Sequence, residues 1–123
     1  MNAPPRKVLI VDDEADLLEL VSSRLAANGY HVLTASSGAL GVEAALQEKP
    51  NLILLDVTMP RMDGWRVLQT LRENDATKNI PVIMLTAKGE TEAILKSQHL
   101  RATDYFVKPF ETEAFLSFIE RYI

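Results

Sequence analysis

The sequence predicts an α/β domain of five successive strand–helix units, folded as an open, doubly wound parallel sheet with helices on both faces. Three observations predict it. Short runs rich in Val, Ile and Leu alternate with longer segments whose apolar residues recur every three or four positions. Three of the short runs, Val8-Leu9-Ile10-Val11, Leu52-Ile53-Leu54-Leu55 and Val82-Ile83-Met84-Leu85, are apolar at every position, as parallel strands covered on both sides must be. Right-handed crossovers between such strands then distribute the helices over both faces.

Taken in order, Val8–Val11 is the first strand, and Leu17, Leu18, Val21 and Leu25 form the apolar stripe of the helix behind it. Asn28-Gly29 stops that helix, because glycine closes a helix in the left-handed conformation without a steric penalty. His31-Val32-Leu33-Thr34-Ala35 alternates more and reads as a strand nearer the sheet edge. Residues 38–48 are an alanine-rich helix, capped by Ser36 or Ser37 and ended before Pro50. After the third strand, residues 64–73 carry Val67, Leu68 and Leu71 on one helical face. After the fourth, residues 91–100 carry Ile94, Leu95 and Leu100. Tyr105-Phe106-Val107 is a short fifth strand, and residues 112–123 form a last helix with Phe115, Leu116, Ile119, Tyr122 and Ile123 at three- and four-residue spacings.

Composition narrows the function. The 123 residues suit one domain, read as 1–123 with residues 1–6 as a tail before the first strand. Apolar residues make up 47% and charged residues 24%, enough for a core. The net charge of −4 and the lack of any basic cluster beyond Arg6-Lys7 argue against direct nucleic-acid binding. There is no cysteine, which excludes disulfides, thiol catalysis and Cys-based metal sites. No run is long enough for a secretory signal or a membrane span, so the chain reads as soluble and cytoplasmic.

The chemistry gathers at the strand ends. In an open α/β sheet, ligands sit beyond the carboxyl ends of the strands. Here those ends carry Asp12-Asp13-Glu14, Asp56, Thr86-Ala87 and Lys108-Pro109. Clustered carboxylates repel one another unless a cation joins them, and an all-oxygen donor set suits Mg2+ rather than Zn2+. Lys108 supplies a compact positive charge for a phosphoryl oxygen, and Thr86 supplies a hydroxyl. Taken singly, Asp13 or Glu14 reads as a helix cap, Asp56 as a turn residue and Lys108 as a solvated lysine. Their coincidence at successive strand ends outweighs those readings.

Four stretches carry a family resemblance: Val8–Glu14, Leu54–Gly64, Leu85–Lys88 and Phe106–Phe110. In order and spacing the chain resembles, from Lys7 to Ile123, the receiver domain of bacterial two-component response regulators, including its stand-alone chemotaxis members. The resemblance implies a flavodoxin-like sheet of strand order 2-1-3-4-5. It implies that Asp56 attacks phosphorus and becomes an aspartyl phosphate. Asp13 and Asp56, with the Thr58 carbonyl, would bind Mg2+, and Asp12 would act mainly through a metal-bound water. Lys108 and Thr86 would contact the phosphoryl group. Pro109 would follow a cis peptide that aims Lys108, and Pro60 and Gly64 would shape the loop after Asp56. Thr86 and Tyr105 would form the switch, altering the face made by the fourth helix, fifth strand and last helix. The implied partners are a sensor histidine kinase or histidine phosphotransfer protein and a downstream output protein or domain. The resemblance also allows homodimer formation on activation and implies no membrane partner. The domain would be a phosphoacceptor that catalyses its own phosphorylation and dephosphorylation, not a conventional enzyme.

The chain departs from the family pattern where Arg101-Ala102 replaces the usual Gly-Ala before the fifth strand, which implies a different helix exit or local strain. Thr58 and Lys88 occupy positions that in the family influence phosphoryl lifetime. His31 and His99 are isolated, and Trp65 opens the third helix as a packing or surface residue. A haloacid-dehalogenase-type phosphatase needs a second Asp two residues after the nucleophile, where this chain has Thr58. A flavin or dinucleotide site needs a phosphate-cradling loop after the first strand, where three acids stand instead. A receiver-like scaffold that is never phosphorylated would be expected to lack a site residue, and this chain has them all.

Overall fold

The structure, a computed structural model, describes residues 4–57, 59, 63–87, 101–108 and 111–123. Five strands form one parallel sheet: β1 (Lys7–Val11), β2 (His31–Ala35), β3 (Leu52–Asp56), β4 (Val82–Ala87) and β5 (Asp104–Lys108), in the order β2-β1-β3-β4-β5. Helices α1 (Ala15–Ala27), α2 (Gly38–Glu48) and α3 (Gly64–Glu73) follow the first three strands, and a C-terminal helix (Thr112–Glu120) follows β5. The helix expected over residues 91–100 lies outside the described residues.

Strand parity explains how the sheet is covered. Successive side chains along a strand point to opposite faces. Leu9, Val11, Ile53, Leu55, Val82 and Met84 share one buried cluster with Ala45 of α2 and Trp65, Val67, Leu68 and Leu71 of α3. Val8, Ile10, Leu52, Leu54, Ile83 and Leu85 share the other with Val21 and Leu25 of α1 and Phe115, Leu116 and Ile119 of the C-terminal helix. The all-apolar runs are thus buried on both faces, whereas β2 at the edge is only partly so.

The helix boundaries follow local chemistry. The Ser37 hydroxyl accepts from the Leu40 N–H and starts α2, and Gly29 takes φ +91° just after α1. Asp63 caps α3 by accepting from the Trp65 N–H, and Trp65 is buried. The last helix ends at Glu120 rather than at the terminus. Arg121 and Tyr122 donate their N–H groups to Phe118 and Ile119, three residues back, which tightens the last turn. Tyr122 is drawn onto β5, where its hydroxyl donates to Asp104 and its ring packs on Phe118. Burial and the Asp104 bond supply apolar spacing beyond the helix end without helical backbone.

Arg101 takes φ +64°, the left-handed conformation that a glycine would adopt freely. The expected strain is therefore present. The turn is held by Arg72, a buried side chain of α3 whose Nε donates to the Arg101 carbonyl at 2.9 Å. The Arg72 Nη1 donates to the carbonyls of Ile80 and Lys78 at 2.7 and 3.2 Å. Burial lowers the Arg72 pKa, and the charge of Arg101 lowers it further. Arg101→Gly is expected to stabilise the fold by about 0.5–1 kcal/mol, left-handed strain of about 1–2 kcal/mol less the greater unfolded entropy of glycine. Urea unfolding measures it, and a lower midpoint for the variant would contradict the assignment of strain.

Candidate functional site

The site is assembled by strands that end together. Asp12 directly follows β1, and its N–H donates to the Ala35 carbonyl at 3.1 Å, extending the β1–β2 ladder by one bond. Its carboxylate Oδ1 accepts from the Glu14 N–H at 2.9 Å, and the residue has no exposed surface. Asp56 ends β3, is 6% exposed, and is fixed from behind by the Val57 N–H bonded to the Leu85 carbonyl. Lys108 ends β5, in register with Ala87 of β4. Asp56 and Lys108 have the parity of Leu54 and Phe106, so both point to the side of the sheet covered by α1 and the C-terminal helix.

There the charges meet. The Lys108 Nζ lies 2.8 Å from Asp12 Oδ2, 3.1 Å from Glu14 Oε1 and 3.4 Å from Asp56 Oδ1. Burial alone would lower the Lys108 pKa, but the hydrogen bonds to Asp12 and Glu14 and the charges of Asp12 and Asp56 together raise it well above the usual lysine range. A raised folded pKa gives stability that is complete below the unfolded value and is lost as pH rises through the folded one. The contribution of Lys108 is therefore constant through neutral pH and fades only above about 10.5, the ordinary lysine value.

Asp12, Asp13 and Asp56 each offer a carboxylate oxygen within 4.8 Å of the others, a group able to hold a metal ion. Two of them are buried and Asp13 is exposed, so one side of the group is open to solvent. Oxygen donors at this spacing fit a small hard cation. Thr58, the other expected ligand, lies outside the described residues, as do Pro60, Pro109, Lys88 and His99. Thr86 is buried at 2% exposure, one position beyond Leu85, the register partner of Asp56. Thr86 has the parity of Met84, and Tyr105 is register partner of Met84, so both face the side opposite Lys108. Tyr105 is half-buried against the first cluster. Gly64 brings α3 against the acceptor strand, its N–H donating to the Val57 carbonyl at 2.9 Å.

The sequence reading did not assign Glu14 to Lys108. Its adjacency to Asp12 and Asp13 was the available signal, but a cap explained it equally well. It also did not single out Arg72, which in Leu71-Arg72-Glu73 looks like an ordinary helix-end cation.

Comparison with known proteins decides the family. The response regulator receiver domain model matches residues 8–120. The chain belongs to that family. This receiver domain is 40% identical over 111 residues to the DNA-binding dual master transcriptional regulator RpaA of Synechocystis, covering 90% of this chain and 46% of the relative. It is 42% identical over 105 residues to the alkaline phosphatase synthesis transcriptional regulatory protein PhoP of Bacillus subtilis, covering 85% and 43%. The chain thus spans less than half the length of these curated relatives. Among solved structures it resembles the chemotaxis protein CheY4 of Vibrio cholerae, with a TM-score of 0.91 and 33% identity over 97% of this chain and 99% of that one. The receiver domain of NtrX from Brucella abortus superposes with a TM-score of 0.85 at 28% identity, covering 94% and 96%. The sheet order 2-1-3-4-5 is therefore the flavodoxin-like receiver fold, and the domain is a two-component response regulator receiver. No helix among the described residues is long and apolar enough to cross a membrane.

Proposed function

We propose that this receiver accepts a phosphoryl group on Asp56 from a histidine kinase, a histidine phosphotransfer protein or a small phosphodonor, in a reaction that depends on Mg2+. The observation that carries the reading is Lys108 Nζ lying within 3.4 Å of both Asp12 and Asp56, where Asp13 completes an oxygen donor group. An Asp56 carboxylate oxygen attacks phosphorus opposite the leaving group. With a phosphohistidine donor the P–N bond breaks, and the imidazole leaves with its electron pair and a proton from water. Mg2+, held by Asp12, Asp13 and Asp56 with the Thr58 carbonyl, would neutralise charge on the phosphoryl oxygens. Lys108 turns from Asp12 and Asp56 to a phosphoryl oxygen lying beyond the strand ends, where the Thr86 hydroxyl reaches over the sheet edge and donates to another.

The same reading makes residues 1–123 one receiver unit and gives the output to the β5 edge. Thr86 moves toward the phosphoryl group, and the Tyr105 ring follows on the same side of the sheet. A downstream output protein or an attached output domain reads the change, and the relatives named as transcriptional regulators favour the attached arrangement. The test is intact mass after incubation with acetyl phosphate. Wild-type protein with Mg2+ is expected to gain one phosphoryl group, and protein in EDTA none. An unmodified wild-type mass with Mg2+ present, or equal modification in EDTA, contradicts the proposal.

A further inference from the structure

Among the described residues Lys108 has three carboxylate partners, and they are not equivalent. Asp12 and Asp56 belong to the group able to hold a metal ion, whereas Glu14 stands outside it. A divalent cation and an ammonium bind through the same carboxylate lone pairs. An ion in the metal position therefore competes with Lys108 for the oxygens of Asp12 and Asp56 and adds repulsion between the two cations, which weakens both pairs. The pair with Glu14 is the one that shares no oxygen donor with that group.

Glu14 is placed to keep it. It occupies the N-cap position of α1, yet its side chain makes no capping bond. Residues at that position ordinarily turn an oxygen back to the first helical N–H groups. Its own N–H instead bonds Asp12 Oδ1 at 2.9 Å, which fixes its backbone to the site, and its Oε1 reaches Lys108 Nζ at 3.1 Å. The Glu14 side chain is 60% exposed and that of Lys108 only 16%, so Glu14 holds the ammonium from the solvent side.

We infer that Glu14 is a positioning residue, retaining Lys108 at the solvent edge of the site when a divalent cation takes Asp12 and Asp56. The ammonium then stays within reach of an incoming phosphoryl oxygen. Glu14 also gives Lys108 somewhere to go. Without it, Lys108 keeps, among the described residues, only the two metal ligands and competes harder for them. This inference rests on the metal-dependent acceptor reading above.

Magnesium titrations by calorimetry on wild type, Glu14→Gln, Lys108→Met and the double variant test it. Glu14→Gln is expected to weaken Mg2+ binding about threefold, the effect of one exposed ion pair. Lys108→Met is expected to tighten it, and in that background most of the Glu14→Gln effect should vanish, because the two residues act as a pair. Equal weakening in both backgrounds would mean that Glu14 acts on the ion as a distant charge, which overturns the inference. Looser Mg2+ binding in Lys108→Met overturns it too. A wild type that binds no Mg2+ overturns the acceptor reading as well, so the two failures are distinguishable. NMR of the Lys108 ammonium needs no lysine variant. In the Mg2+-loaded protein its resonance is expected to move on Glu14→Gln, and an unmoved resonance refutes the retained pair.

Discussion

Asp56→Asn is expected to abolish phosphoryl uptake while leaving the fold intact. The substitution keeps the side-chain shape but replaces the attacking carboxylate with an amide, whose nitrogen lone pair is delocalised and whose oxygen is a poor nucleophile. Acetyl phosphate with Mg2+ should then leave the intact mass unchanged. Metal-free stability should stay within about 1 kcal/mol of wild type, because relief of repulsion among neighbouring carboxylates opposes loss of attraction to Lys108. Mg2+ should stabilise the variant less than it stabilises wild type, since the stabilisation by a bound ion grows with the logarithm of its affinity for the native state. Thermal melts with and without Mg2+ read both quantities. A variant that gains a phosphoryl group would place the acceptor elsewhere. One that unfolds in metal-free buffer would make Asp56 structural.

The fold was legible because its signals are local. Strands buried on both faces must be apolar at each position, and Val8–Val11 and Leu52–Leu55 are. The meeting of Asp12, Asp56 and Lys108 was legible for a related reason, since parallel strands all end on one edge and a two-residue period sets which side each end points to. What escaped depends on approach between distant segments. Arg72 is buried because the carbonyls of Lys78, Ile80 and Arg101 close around it, and none of these marks its own sequence as an arginine receptor. Arg101 marks a conformation in the sequence but not the side chain that holds it. Glu14 hid behind the commoner role of acids at helix starts. The pattern that extended the last helix past Glu120 was real burial, achieved by a side chain reaching back to Asp104 from a turn.

Gly64→Ala is expected to cost about 3 kcal/mol or more, the upper range for forcing an atom into packed structure. The cause is space, not backbone conformation. A Cβ at Gly64 would lie 2.0 Å from the Asp56 carbonyl oxygen and 2.8 Å from Val57 Cα, so backbone must move. The opposing atoms belong to the strand end that carries the acceptor. On the other side, Gly64 leads directly into Trp65, Val67 and Leu68, all buried. Relief therefore requires α3 to withdraw its core residues or Asp56 to shift from Lys108, and phosphoryl uptake should fall along with stability. Gly29→Ala supplies the contrast. Gly29 has φ +91° and nothing within 4 Å of its added Cβ, so its cost is conformational, about 1 kcal/mol, with phosphoryl uptake unchanged. Denaturant unfolding and acetyl phosphate labelling of both variants separate the two causes. Equal losses of stability at the two glycines, or normal labelling of a destabilised Gly64→Ala, would show that the close approach of α3 does not hold the acceptor in place.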